Sequence, residues 1–277
     1  MICWQNLLIL LCCMIGTGLI SLLAFPVNMI LSVAWVYFLF LLWKKHGKSL
    51  FVRYMLSPGA TILSVSLFLL YCFAIGLTGK RELVHTWGFA LIMFFLLSVL
   101  QFVLMRGWRA QTSTGARLGA IRWRFVFLHA GLIIALGSAF WGFPDSDSCR
   151  LRAWKGEIVN EAYRQDGTSV WLKYDVILED FALTYGLDGK PSDYAAKLKV
   201  DGEEVLLRVN HPYARSFGED IYLSGYDQSA GDNPEYCILE IVEEPWKYAA
   251  LVGVILMLAG ALMLFIGGPR NFRDNEE

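Results

Sequence analysis

Charge is scarce in this chain, and the residues that soluble enzymes use for chemistry are scarcer still. Asp, Glu, Lys and Arg make up 18% of the 277 residues, beside four histidines and six cysteines, and no CxxC pair or metal-ligand spacing occurs. There is no G-x-S-x-G, no phosphate-binding loop and no zincin motif, which removes the usual hydrolase, kinase and metalloprotease readings. No internal repeat is found, and no nucleic-acid partner is expected.

What is abundant is apolar surface. Hydrophobic residues make up 56% of the sequence and the mean hydropathy is +0.47, which suits a polytopic membrane protein rather than a soluble domain. Six apolar runs of 17–20 residues fall within the roughly 17–25 residues of a membrane-spanning helix. They are Leu7 to Phe25, Val27 to Trp43, Ala60 to Leu77, Thr86 to Met105, Phe125 to Phe143 and Tyr248 to Ile266. The first lacks a basic start and a small-x-small cleavage site, and Leu10 and Leu11 stand where a lipoprotein site needs small residues before Cys12, so it reads as a retained span. Pro26 breaks the helix between the first two runs.

The net charge of −1 conceals a division. Residues 144–246 hold 10 Lys and Arg against 21 Asp and Glu, whereas the remainder holds 14 against 4. Basic residues cluster at Lys44, Lys45, Lys48 and Arg53 and again at Arg106, Arg109, Arg117, Arg122 and Arg124, with only Lys80 and Arg81 between. The positive-inside rule then puts both termini and the two basic loops in the cytoplasm. The expected organisation is a membrane region of five spans over 1–143, an extracytoplasmic β-rich domain over 144–246, and a last span with a cytoplasmic tail over 247–277.

Within 144–246, apolar and polar residues alternate through Ser169 to Leu178, Ala195 to Val209, Ile221 to Tyr226 and Tyr236 to Val242, the period of half-buried strands. Asp166-Gly167, Asp188-Gly189 and Asp201-Gly202 supply turns, and the last is the best hairpin candidate. One antiparallel domain fits this pattern.

His129 is the only Asp, Glu, Lys, Arg or His inside an apolar run, and such residues are functional-site hypotheses by default. It lies five residues past Arg124, roughly 8 Å inside the cytoplasmic end of its helix at ~1.5 Å per residue. Two readings stand: an imidazole bonded to a neighbouring backbone or hydroxyl group, or an axial ligand to haem iron in an apolar pocket. Gly131 and Gly137 flatten the adjoining faces, which would admit another helix or a flat cofactor. His85 and His211, at the outer end of the fourth span and in the outer domain, are the further candidate ligands. His46, in a Lys-rich loop, reads as a solvated charge. The paired acids Glu203-Glu204 and Glu243-Glu244 read as solvated edges, and Glu219-Asp220 reads the same way. Cys149 and Cys237 stand near the two membrane connections of the outer domain, where a disulfide would staple its ends; free buried thiols and redox exchange are the other readings.

Several segments carry a resemblance: a histidine early in the span before an outer β-domain, then Val209-Asn210-His211-Pro212-Tyr213, the strand Gly218-Glu219-Asp220-Ile221-Tyr222-Leu223-Ser224-Gly225-Tyr226, and Glu244-Pro245-Trp246 leading into the last span. From about residue 124 to 267 the chain resembles the ResB/CcsB family of system II cytochrome c biogenesis. The resemblance implies a multi-pass protein of the bacterial cytoplasmic membrane that pairs with a CcsA/ResC-type membrane protein. The pair moves haem outward, holding it transiently as a b-type group, and joins it to the CxxCH cysteines of apocytochrome c. It also implies that His129 matches the family's haem-ligand histidine. Two features depart from the family: five spans are read before the outer domain where the common form has three, and the Trp-rich signature of the partner is missing, Trp141-Gly142-Phe143 being no substitute. A non-catalytic or co-catalytic subunit is therefore expected rather than the complete synthetase. The competing expectations are a membrane scaffold that presents an acidic outer domain to a basic partner, and a thiol-exchange protein using Cys149 and Cys237.

Overall fold

Capping residues set where the helices begin. Ser49 and Ser57 stand in extended backbone and accept hydrogen bonds from Val52 N and Ala60 N, each satisfying an amide that has no partner within its own helix. Pro58 follows Ser57 at the first helical position, where a missing N–H costs nothing, and Gly79 ends the same helix in the left-handed region at φ 65°. The computed structural model describes residues 24–79, 83–84, 86–113, 123–186 and 191–267. In chain order these form α1 (Val27–His46), α2 (Leu50–Met55), α3 (Pro58–Thr78), α4 (Trp87–Ser113) and α5 (Trp123–Asp145), then eight strands, and finally α6 (Lys247–Gly267). The expected first span, Leu7 to Phe25, lies outside the described residues except for its last two.

Five described helices, α1, α3, α4, α5 and α6, are long and apolar enough to cross a membrane. Four of them bury 11–22% of their most apolar stretch and α4 buries 50%, so α4 is the central helix and the others turn most of their apolar side chains outward. Polar groups tie α1 to α4: the Trp35 indole donates to Ser98 Oγ at 3.2 Å, and the Gln101 amide donates to the Val36 carbonyl at 2.6 Å. Such bonds hold helices together where the surroundings are as apolar as their side chains. Helices α5 and α6 meet through small residues instead. A Cβ on Gly131 would lie 2.7 Å from Gly253 O, and one on Gly260 would lie 3.1 Å from Arg124 O, so the two backbones touch.

The chain divides into two compact units, residues 1–144 with 246–277, and Asp145–Pro245. The second is an antiparallel sheet of β1 (Asp147–Trp154), β2 (Ile158–Tyr163), β3 (Ser169–Tyr185), β4 (Pro191–Val200), β5 (Glu203–Arg208), β6 (Tyr213–Ser216), β7 (Glu219–Tyr226) and β8 (Tyr236–Glu243). Their order is β5-β4-β3-β2-β1-β8-β7-β6. Asp201 and Gly202, at φ 50° and 86°, make the two-residue turn between Val200 and Glu203, a geometry that suits the twist of paired strands. Asp166 Oδ1 accepts from Thr168 N and Oγ1 in the turn before β3, while Asp188-Gly189 lies outside the described residues.

Strands β5 and β6 stand at opposite edges of this sheet yet are joined by only four residues, with Arg208 bridging His211. Four residues extend at most ~14 Å, so the sheet rolls until its edges approach. Tyr213 on β6 donates to Glu203 on β5 at 3.0 Å across that gap. Alternate residues consequently face one interior: Leu151 and Ala153, Val176 and Leu178, Ala196, Leu198 and Val200, Leu207, Ile221, Leu239 and Ile241 are almost fully buried. Burying each large aliphatic side chain stabilises the fold by about 1.5–3 kcal/mol, which makes this interior the main support of the unit.

Candidate functional site

His129 stands in the first half of α5, where an i−4 carbonyl is within reach of its ring. Its Nδ1 lies 2.9 Å from Phe125 O. A carbonyl oxygen only accepts, so Nδ1 carries the proton, and in the neutral imidazole Nε2 is left with its lone pair. That is the tautomer a metal-ligating histidine needs, oriented by a hydrogen bond from its other nitrogen. The Phe125 ring lies beside the imidazole, centroids 4.0 Å apart at 35°, and itself rests on the backbone of α4 at Gly107. The ring is thus held from two sides: through the Phe125 carbonyl and through the Phe125 side chain.

The neighbouring glycines divide their work. Gly131 is closed off by Met257 and Gly253 of α6, whereas a Cβ on Gly137 would meet nothing within 4 Å. Another helix, not a flat cofactor, occupies the face that Gly131 opens. Gly137 lines a cavity of about 240 Å³ between α1, α4, α5 and α6.

The other candidate ligands do not join His129. His85 lies outside the described residues. His211 is exposed in the turn between β5 and β6, its N–H bonded to Arg208 O at 3.1 Å, and it belongs to the sheet unit. Among the described residues no group of three or more His, Cys, Asp or Glu converges as a metal site.

The expected bridge between Cys149 and Cys237 is corrected by the sheet register. On the paired strands β1 and β8, Cys237 is opposite Ala153 and Cys149 is opposite Ile241. The two cysteines share a face but are offset by four residues, ~13 Å along the strands, beyond the ~7 Å Cα limit of a disulfide. Both are free and buried. Burial, with the nearby Asp147 carboxylate, pushes the Cys149 thiol up to about 11, and burial pushes Cys237 up to about 12. Neither has the low-pKa, accessible thiolate that exchange chemistry requires.

Glu219 is the residue that pattern reading missed. It is 6% exposed. Tyr174 donates to its Oε1 at 2.6 Å, Arg215 donates to Oε2 at 2.8 Å through Nε and lies within 2.6 Å through its terminal nitrogen, and Ser216 donates to Oε2 at 3.0 Å. The Arg215 guanidinium also covers the Tyr174 ring at 3.9 Å. Burial raises the Glu219 carboxyl, but the bonds from Arg215, Tyr174 and Ser216 outweigh it and hold the group below its ordinary range. The signal was present: Glu219, Ile221 and Leu223 occupy alternate positions of one strand, so a carboxylate stood where the pattern demands an inward side chain. Next to it, Gly218 adopts φ 83°, and a Cβ there would lie 2.8 Å from Pro245 Cα. Glu244 N donates to Gly218 O at 2.6 Å, so the hairpin between β6 and β7 is fastened to the strand end that leads toward α6.

Long apolar helices, an antiparallel sheet between the last two of them in sequence, and a tautomer-fixed histidine in an apolar helix define a multi-pass membrane protein with a β-sheet unit. Residues 98–235, just under half of the chain, match the model of the ResB-like family, and this stretch contains α5, His129 and most of the sheet. No curated protein matches it in sequence. A solved structure entitled Cytochrome c Heme Lyase CcmF aligns at 14% identity and TM-score 0.44, over 85% of this chain and 44% of that one. The chain thus spans less than half the length of that protein.

Proposed function

We propose that this protein is a subunit of a system II cytochrome c synthase, in which it helps to hold haem within the membrane and present it for attachment to apocytochrome c. The ResB-like match over 98–235 supports a role in cytochrome c biogenesis. The observation that carries the haem reading is the hydrogen bond from His129 Nδ1 to Phe125 O, which leaves Nε2 available to iron in an apolar wall. On this reading His129 is one axial ligand, and a CcsA/ResC-type membrane partner supplies what this chain lacks. The acidic unit, proposed as residues 144–246, faces the outside of a bacterial cytoplasmic membrane, and both termini are cytoplasmic. The basic loops support that orientation, and a topology reporter fused after residue 272 tests it, activity outside the cytoplasm overturning it.

The decisive experiment is His129→Ala in the protein purified with its partner. Alanine adds no charge to the bilayer, so insertion and pairing persist while the haem Soret band and holo-cytochrome c fall; added imidazole partly restores the band. Unchanged haem content and cytochrome c maturation would sink the reading. Thiol exchange, the rival function, finds no support in Cys149 and Cys237 as placed here.

A further inference from the structure

We propose that the cavity between α1, α4, α5 and α6 is a binding site for one phospholipid acyl chain, its ester carbonyl accepting a hydrogen bond from Ser138. The inference goes beyond the haem reading and does not depend on it. Ser138 lines the cavity, is 3% exposed, and its hydroxyl has no hydrogen-bond partner. A buried hydroxyl left unpaired is costly, and so marks a place where a ligand supplies the missing acceptor. The rest of the wall is almost wholly apolar, with Phe94, Trp141 and Trp246 among its side chains. The Trp35 indole and the Gln101 amide nitrogen, which also line it, are already committed to Ser98 and Val36. Water needs two to four polar partners to settle in a cavity and finds few here.

Size and position select the occupant. An apolar cavity of about 150 Å³ suffices for benzene, so one of about 240 Å³ takes a longer apolar segment. Val33 and Val36 line the cavity while remaining 65% and 45% exposed. The cavity therefore opens on the apolar exterior of the bundle, where acyl chains are the surrounding solvent. An acyl chain brings apolar length and a single uncharged acceptor together, as this wall requires.

Gly137 provides the test, because it lines the cavity and a Cβ added there meets nothing within 4 Å. The full-length protein, delipidated in detergent and then incubated with palmitoyl-oleoyl phosphatidylethanolamine, is measured by native mass spectrometry, with the haem spectrum recorded in parallel. The expected result is one retained phospholipid per chain. Gly137→Leu should lower retention about tenfold by filling the space, and Ser138→Ala, which keeps the shape and removes the hydroxyl, about fivefold. No retained phospholipid in the wild type, equal retention in all three proteins, or a preference for free oleate over the phospholipid would each overturn the proposal. Loss of lipid with the haem spectrum unchanged separates this site from that of His129.

Discussion

Tyr174 on β3 and Glu219 on β7 meet inside the sheet unit, the phenol donating to the carboxylate at 2.6 Å, although three strands separate β3 from β7 in the sheet order. Only a rolled sheet permits that contact. The pair, with Arg215, places a charged cluster in an interior otherwise filled mainly by aliphatic and aromatic side chains and the two cysteines, and each member satisfies another.

Acid sensitivity follows from it. The folded-state pKa of Glu219 is lowered, so its contribution to stability is complete above the unfolded value of about 4.3 and is lost as pH falls through the lower folded value. Glu219→Gln should destabilise the sheet unit at neutral pH by about 2–4 kcal/mol, less than a fully buried pair because Arg215 is a quarter exposed. It should also lose less stability on acidification than the wild type does. Thermal unfolding of the full-length protein between pH 7 and pH 3 measures both effects; parallel pH profiles for the two proteins would refute the assignment.

The cysteine register predicts silence toward thiol reagents. Cys149 and Cys237 should both be recovered as free thiols under non-reducing conditions and should react with maleimide only on unfolding, since burial keeps each protonated. Peptide mapping after alkylation decides this, and a Cys149–Cys237 crosslinked peptide would contradict the register.

Helix contact between α5 and α6 is equally exposed to test. A Cβ on Gly253 would lie 2.6 Å from Ala135 N and 2.9 Å from Gly131 O, both backbone atoms, whereas one on Gly76 would meet nothing within 4 Å. Gly253→Ala should cost about 1–3 kcal/mol of stability in detergent through overpacking, despite the better helix propensity of alanine, and Gly76→Ala should be tolerated. Equal behaviour of the two variants in thermal unfolding would mean that the helices separate freely.

Hydropathy made the described helices legible because a span needs a long apolar run whatever it packs against, and all five expected spans within the described residues coincide with helices to within a few residues at most ends. The Asp201-Gly202 turn was legible for a similar reason, since few dipeptides accept two positive φ values. Pairing between distant strands has no such local signature. The register that parts Cys149 from Cys237, and the roll that brings Glu219 under Tyr174, arise from strand order, which alternation along a single strand does not encode. His129 stood out as the one Asp, Glu, Lys, Arg or His in an apolar run, but its tautomer depends on Phe125 O and the support of its ring on Gly107, a contact between helices that spacing cannot show.

That support yields the last prediction. The Phe125 ring rests directly on Gly107, with no room for a Cβ, and the His129 ring lies beside it at 4.0 Å. Gly107→Val must therefore displace Phe125, and the imidazole loses its lateral support while keeping the backbone carbonyl that bonds Nδ1. The three atoms nearest to a Cβ on Gly107 all belong to the Phe125 ring, so the expected effect on His129 is one of positioning. The ¹⁵N resonances of His129 should shift or broaden between the two ring nitrogens, and the haem band of the purified complex should weaken or move. Phe125→Leu, which removes the neighbouring ring without crowding α4, should reproduce the spectral change with less loss of stability, whereas Gly76→Ala should leave both signals as they are. If Gly107→Val folds, retains its partner and gives wild-type imidazole and haem spectra, then the hydrogen bond to Phe125 O alone orients His129, and the aromatic contact is packing without consequence for the site.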